Sequence, residues 1–509
     1  MDQNAVPDYD VVVAGGGPVG LMLAAELQLA GVRSLVLERL TDRAELPDGV
    51  RGMHARTLET LDRRGMLEQF MNASDRPAPA GKHRVMSGTH FAGLTLLELG
   101  TLDSDHPYAL VNTRERIEQL LEQRAVELGA EIRTGHEVIG LRQHDDGVTI
   151  DVDGPSGVHQ LTTRYLVGCD GGRSKVRKAA GIPFPGNDPT VTAYVGRATI
   201  VEPHDLPTGW QRTPGGAMLR GGAGSGILLI EFDGAPADRD IPVTLADFQA
   251  SFRRVTGTGL TLTDPQHLRR FTDNSRQADG YVHGRVLLAG DAAHVHAPFG
   301  GQGLNLGLQD AVNLGWKLAA AVQGWAPDGL LDSYSDERHP VAARVLHNTR
   351  AQVALMNPDP RVTPLREMFA ELMLLDETNR YLTELITCVN VRYDVGSDEQ
   401  RPHPLLGAFA PNLALKTENG QTTLAKLLRA GKALLLDIAG RPDLRSTGAG
   451  WADRVQIVTA HCERSLAAEA LLVRPDGYVA WVAPTAAHPQ DDQRTLRSAL
   501  RTWFGTARA

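Results

Sequence analysis

Cysteine is scarce in this 509-residue chain: Cys169, Cys388 and Cys462 stand far apart, form no CxxC pair and match no metal-ligand spacing. A thiol redox pair and a cysteine-held metal are thereby excluded, so any redox chemistry has to come from a bound cofactor. No apolar run reaches bilayer length, and the first ten residues, Met1 to Asp10, are acidic where a secretory signal needs positive charge. The 52 basic residues are spread along a chain of formal charge -9 and form no block, which excludes a nucleic-acid groove and a polybasic membrane anchor. Internal repeats and low-complexity tracts are absent as well. These absences predict a soluble cytoplasmic protein, monomer or homodimer, without nucleic-acid or membrane partners.

At 509 residues with 42% hydrophobic content, the chain is globular and long enough for two or three domains. The β-branched run Asp10 to Ala14 is followed at once by Gly15-Gly16-Gly17-Pro18-Val19-Gly20 and a helix through Leu29 that stops at Gly31. In that context GxGxxG has a steric logic: Gly15 for a tight turn, Gly17 for close approach of a pyrophosphate, Gly20 for packing of helix on strand. A second strand, Ser34 to Leu37, delivers Glu38, where a carboxylate can accept hydrogen bonds from an adenosine ribose. The combination predicts a dinucleotide site and leaves FAD and NAD equal.

The stretch Leu287 to Lys317 reads as strand, loop and helix. Its strand ends in Gly290-Asp291, presenting an acid that suits a ligand hydroxyl. Pro298, Gly300, Gly301 and Gly303 then keep the loop free of bulk, and from Leu304 apolar residues return at helical spacing. The amides of Gly303, Leu304 and Asn305 are expected to be free, and such a helix start suits an anion or a ring that becomes anionic, as a reduced flavin does. Taken alone, the stretch also reads as a glycine-rich cap with a surface acid.

Helices are expected over Ala55 to Phe70, with Leu58, Leu61 and Leu67 inward, and over Thr113 to Leu128, with Ile117, Leu120, Leu121 and Val126 inward. The polar segment Leu40 to Gly52, with Pro47 and Gly49, can lie beside a ligand. Arg51, His54 and Arg56 at its end and just beyond could contact phosphates or a flavin edge, but arginines that flank a helix start read more readily as solvated. Gly147 to Val152 and His159 to Leu166 read as a hairpin, returning through Tyr165-Leu166-Val167-Gly168 to Cys169-Asp170-Gly171-Gly172-Arg173-Ser174. Residues 181 to 280 have a β-rich texture with one helix, 245 to 256, and 72–106 contributes to the same unit. The nucleotide domain is thus expected to comprise 1–180 and 281–400, including long helices over Asp332 to Arg350 and Pro364 to Tyr381. A linker at Pro402-His403-Pro404 introduces an α/β unit over 403–509.

Three signatures in order, Gly15 to Gly20, Asp170-Gly171 with Arg173 and Arg177, and Gly290-Asp291 through Pro298 to Asn305, resemble the FAD-dependent aromatic hydroxylases of the para-hydroxybenzoate hydroxylase type. The stretches LVGCDGGRSKVRKAAG, GRVLLAGDAAH, QDAVNLGWKL, DSYSDERHP and LVRPDGYVAW extend the resemblance along the chain, to monooxygenases that tailor angucyclines and anthracyclines. The resemblance implies an α/β fold: a Rossmann-like FAD domain, an inserted, mostly antiparallel substrate domain, and a C-terminal thioredoxin-like domain without redox cysteines. It implies FAD held by Gly15, Gly17, Pro18, Val19, Gly20, Glu38 and Arg39, with Arg114 at the diphosphate and Val138 at adenine through its backbone. It places Asp291 on the ribityl chain and Pro298, Gly301, Gly303, Leu304 and Asn305 around the isoalloxazine, and it links Asp170 and Arg177 to both FAD and nicotinamide-cofactor use. Relatives often carry an arginine shortly before the position of Arg56, where this chain has Gly49, with Arg51 nearby. The implied activity is NAD(P)H- and O2-dependent hydroxylation of a multi-ring aromatic polyketide through a flavin C4a-hydroperoxide, in antibiotic biosynthesis. Baeyer-Villiger oxidation, epoxidation and a non-catalytic nucleotide-binding role are the alternatives. No residue identifies itself as a catalytic base; His294, His296 and Arg276 are merely near, and no metal is expected.

Overall fold

The computed structural model describes residues 7–42, 50–72, 85–221, 226–236, 241–396, 402–485 and 489–508. Its central sheet runs in the order Val282–His283, Val286–Leu288, Gly157–Gly168, Tyr9–Ala14, Ser34–Glu38, Glu131–Thr134. Tyr9–Ala14 pairs in parallel with both Ser34–Glu38 and Gly157–Gly168, and Gly157–Gly168 pairs in parallel with Val286–Leu288. Valines 11 to 13 and Leu287 are fully buried in a core that they share with the helix Pro18–Leu29 and with Val138, Val148, Ile150 and Val152 of the strands Glu137–Gln143 and Val148–Gly154. Residues 11–14 and 286–288 lie far apart in sequence yet flank one strand in parallel, so all three ligand-suited turns leave the carboxyl ends of adjacent strands.

The first turn shows why glycine is needed. Gly15 has φ +108°, and a Cβ there would lie 2.4 Å from the Cys169 carbonyl oxygen; a Cβ on Gly20 would lie 2.0 Å from the Gly15 carbonyl oxygen. The helix Pro18–Leu29 therefore seats directly on the sheet, with proline in its first turn. The strands Val148–Gly154 and Gly157–Gly168 form the expected hairpin, and Glu137–Gln143 pairs on its far side.

A five-stranded antiparallel sheet has the order Gly209–Thr213, Gly216–Arg220, Ile227–Glu231, Thr192–Ile200, Leu262–Thr272. Helix Leu245–Thr256 covers it, started by a capping box between Thr244 and Asp247 and burying Phe248, Phe252 and Val255 at helical spacing. Between this sheet and the helices from residue 333 onward, Phe91, Ala217, Ile230, Ala297, Phe299, Met356 and Ile386 share a core. The C-terminal segment has a mixed sheet in the order Val455–Thr459, Ala433–Asp437, Ala468–Val473, Val479–Pro484, packed by Pro489–Phe504.

Several expected elements differ. Ala55 to Phe70 is two helices, Ala55–Arg63 and Leu67–Asn72, separated at Gly65, whose φ of +70° ends the first. Pro364 to Tyr381 is also two, Thr363–Met373 and Asp376–Thr387, because Leu375 is extended and Asp376 and Glu377 start a new first turn. In the helix Arg114–Glu127 it is Ala125 that faces inward, while Val126 is 54% exposed. The pairing of Val50–Met53 with Ala109–Thr113 was not anticipated from local pattern. Pro47 and Gly49 lie outside the described residues.

Candidate functional site

A cavity of about 700 Å³ runs from the end of the Ser34–Glu38 strand, past the Gly15 turn, to the start of the helix Gln302–Gln323. At one end the Glu38 carboxylate accepts from the Gly16 N–H at 2.7 Å and the Leu40 N–H at 2.9 Å, which pins it at the strand terminus. Arg39 and Val138 line the same end, and Arg114 enters from the first turn of its helix, paired with Glu118 at 2.6 Å. Opposite them, Gly15, Gly17, Pro18 and Val19 form the glycine-turn wall. A Cβ on Gly17 would meet nothing within 4 Å, so that side is open to a ligand.

Asp170 also lines the cavity. Its Oδ2 accepts from the Lys175 and Val176 N–H groups at 2.6 and 3.1 Å, and its Oδ1 is left without a partner. Arg177 turns away from the cavity: it donates to the carbonyls of Gly172 and Ala292 and lies over the Phe184 ring, tying the Asp170 loop to the Asp291 loop. Cys169 lies between them, and burial raises its thiol well above the ordinary range, so it stays protonated.

At the far end, Asp291, Gly303 and Leu304 line the cavity. Asp291 is exposed and points from a short turn held from behind by the fully buried Asp310. That carboxylate accepts from the Gly290 N–H at 3.1 Å, from His294 Nε2 at 2.6 Å and from Arg338 Nε at 2.8 Å. Burial raises the Asp310 pKa, but the charges of His294 and Arg338 outweigh it and hold the carboxyl below its usual range.

The helix begins at Gln302, earlier than the Leu304 expected from periodicity, with Gly301 as N-cap and no capping side chain. The amides of Gln302, Gly303 and Leu304 therefore have no intrahelical acceptor, whereas Asn305 lies one full turn in. Its side chain has a different task, accepting from the His54 N–H and Thr57 Oγ at 2.8 and 2.7 Å and donating to the carbonyls of Gly52 and Gly301.

The structure thus gathers Gly15, Gly17, Pro18, Val19, Glu38, Arg39, Arg114, Val138, Asp170, Asp291, Gly303 and Leu304 around one cavity. It places Gly20, Pro298, Gly301 and Asn305 in supporting positions. Arg51 lines the cavity, while His54 is buried and Arg56 is buried, not solvated: it pairs with Glu59 and lies over Phe409. His294 and Arg276 are occupied by Asp310 and Asp188. Lys175, Lys178 and His136 also reach the cavity. Only tertiary folding brings them there, and no local pattern marks them. Among the described residues no cluster of potential metal ligands occurs and no helix is long and apolar enough to cross a membrane.

Comparison with known proteins gives a consistent result. The family pattern described as "FAD binding domain" matches residues 8–349, and that described as "Aromatic-ring hydroxylase, C-terminal" matches residues 403–507. The chain is 48% identical to the 12-dehydrotetracycline 5-monooxygenase/anhydrotetracycline 6-monooxygenase of Streptomyces rimosus, over 98% of this chain and 99% of that protein. Among solved structures it is similar to the anhydrotetracycline hydroxylase OxyS of Streptomyces rimosus, with TM-score 0.89 and 45% identity over 98% of this chain and 99% of the other. It is also similar to CabE, an aromatic hydroxylase from angucycline biosynthesis, with TM-score 0.88 and 40% identity over 98% and 100%.

Proposed function

Starting from the fact that this chain belongs to the FAD-binding aromatic monooxygenases, we propose that it uses NAD(P)H and O2 to hydroxylate a multi-ring aromatic polyketide. The observation that carries this reading is one continuous cavity joining the glycine turn to an uncapped helix start. When bound, FAD would supply the redox chemistry that the chain's own side chains lack, taking electrons from NAD(P)H and activating O2 for transfer of one oxygen atom to the ring. The residues present suit FAD. Gly17 is open where a diphosphate needs close approach, the N-terminus of Pro18–Leu29 faces it, and Arg114 supplies a cation there. Glu38 has lone pairs for ribose hydroxyls and Val138 borders the adenine end, while Asp291 is free to accept from ribityl hydroxyls.

The amides of Gly303 and Leu304 favour an electron-rich ring system. A helix N-terminus contributes ~0.3 to 2 kcal/mol toward an anion in such a position. Phe299, just before the helix Gln302–Gln323, shares an apolar core with Phe91 and with Ala217 and Ile230 of the antiparallel sheet, and apolar surroundings of that kind would favour exclusion of water and so protect a reactive oxygen donor. In this reading the antiparallel sheet is the substrate unit and the C-terminal segment a thioredoxin-like unit with a structural task. Purified protein is expected to carry stoichiometric yellow flavin, and Asp291→Ala to emerge as folded apoprotein. A wild-type protein that is colourless and indifferent to added FAD defeats the reading; NADPH oxidation unaffected by any multi-ring hydroxyquinone defeats the substrate part.

A further inference from the structure

Large apolar side chains crowd the surface at one place. Thirteen of them are exposed among the described residues, and six, Leu365, Met368, Leu372, Leu374, Leu375 and Tyr381, belong to the helices Thr363–Met373 and Asp376–Thr387 and the link between them. The other seven are scattered singly along the sequence, apart from the pair Val85 and Met86. Met368 is 62% exposed and Leu374 69%.

Helical spacing gathers these side chains into a band. In Thr363–Met373, Phe369 and Met373 pack into the core that holds Phe91 and Phe299, and Arg366 donates to the Ala92 carbonyl at 2.7 Å. Leu365, Met368 and Leu372 recur at intervals of three and four, which lines them up as a second apolar stripe beside the first, and Leu375 continues the interval. A surface helix covers its own core with a stripe about 100° wide. The second stripe is therefore surplus to the core, and its exposure shows that no described part of the chain covers it.

Area and charge indicate the occupant. With these side chains about half exposed or more, the band presents on the order of 700 Å² of mostly apolar surface, above the ~300–600 Å² of the largest patch on an ordinary monomer and close to the ~800 Å² per partner that a stable interface buries. Glu367, Glu371, Asp376 and Glu377 are exposed around it, which disfavours an anionic lipid surface. At the opposite end Arg361 is 90% exposed; its Nε and Nη2 bond Asp359, which leaves Nη1 to donate elsewhere. In a two-fold pairing with Met368 at the axis the helices run antiparallel, so Leu365 of one copy meets Leu372 of the other, and each Arg361 comes to the Asp376 and Glu377 end of the second copy.

We propose that this band is the surface on which two copies of the chain associate, as a two-fold dimer centred on Leu365, Met368 and Leu372. No residue that lines the cofactor cavity belongs to the band, so association and flavin binding are separate properties and each can be tested without the other.

Sedimentation velocity on the full chain, across roughly the 1–50 μM range where an interface of this size associates, is expected to show a dimer. Met368→Lys and Leu372→Lys place a charge at the centre of the pairing. Each is expected to weaken association at least about tenfold while circular dichroism stays that of wild type, because both side chains already reach solvent. Arg361→Glu is expected to weaken the dimer as well, and Arg361→Glu combined with Glu377→Arg to restore it, a reversal that damage to the fold would not give. A dimer left intact by both lysine variants overturns the proposal. So does a wild type that stays monomeric throughout the range, and if that monomer floats with phosphatidylglycerol vesicles the band faces lipid instead.

Discussion

Two glycines three residues apart are required for different reasons, and alanine at each separates folding from cofactor binding. At Gly20 a methyl group would lie 2.0 Å from the Gly15 carbonyl oxygen and 3.2 Å from Val13 Cγ1, so helix and strand must part. At Gly17 the backbone, φ -75° and ψ -179°, is one that alanine adopts freely, and no protein atom lies within 4 Å of the new methyl. Gly20→Ala is expected to cost about 1–3 kcal/mol of stability, as overpacking does. Gly17→Ala is expected to melt like wild type yet bind FAD at least about tenfold more weakly, because its methyl group occupies the diphosphate approach. Thermal melts with flavin fluorescence titration decide the matter, and equal flavin affinity in Gly17→Ala would remove that glycine from the cofactor wall. The packing task of Gly20 was readable from the motif, and the open side of Gly17 agrees with the approach that the motif predicts there. That Asn305 works through its side chain was not, because its partners, His54 and Thr57, lie some 250 positions away in sequence.

Among the elements, those with a strong local signal came through and those shaped by distant partners did not. Leu245–Thr256 was visible from periodicity alone, since its apolar stripe and its terminal Gly257, φ +68°, agree. The break at Leu374–Leu375 has no glycine or proline to announce it; it lets Asp376–Thr387 turn Leu382 and Ile386 into the core shared with Phe299. Arg56 read as solvated because nothing local shows that Phe409, from the C-terminal half, covers it.

The same long reach governs the turn Arg474-Pro475-Asp476-Gly477. Arg474 bonds Glu337 at 2.5 and 2.8 Å, pairs with Asp476 and lies 4.5 Å from the Trp503 ring centre. Arg63 donates to the Gly477 carbonyl and Arg64 to the Pro475 carbonyl, so the C-terminal unit is clamped to helices of the cofactor region. Arg474→Met, which leaves the buried Asp476 with only Asn313 and the Tyr478 N–H and Glu337 with only Lys317 and Asn313, is expected to lower stability by about 3–5 kcal/mol in urea unfolding. A loss under about 1 kcal/mol, the size of an exposed pair, would show that the clamp carries little.

Over the whole molecule, buried ionisable groups set how the fold tolerates acid. Burial holds His54 and His90 to about 4, so as pH falls from the unfolded value near 6.5 the unfolded chain takes up protons that the folded chain refuses. Stability contributed by their neutral forms is complete above about 6.5 and is lost on the way down to about 4. Glu337 acts lower: burial raises its pKa, but Arg474 and Lys317 outweigh that and hold it at about 2. Its contribution is present above the unfolded carboxylate value of about 4.3 and disappears as pH falls from there toward 2. The melting temperature of wild type is therefore expected to decline in two overlapping stages, beginning near neutrality and not only in the carboxylate range. The double variant His54→Gln, His90→Gln is expected to flatten the upper stage and leave the lower one intact. Scanning calorimetry between pH 7 and 3 distinguishes them, because an unchanged upper slope in that variant would mean that these two imidazoles are not held neutral by the fold.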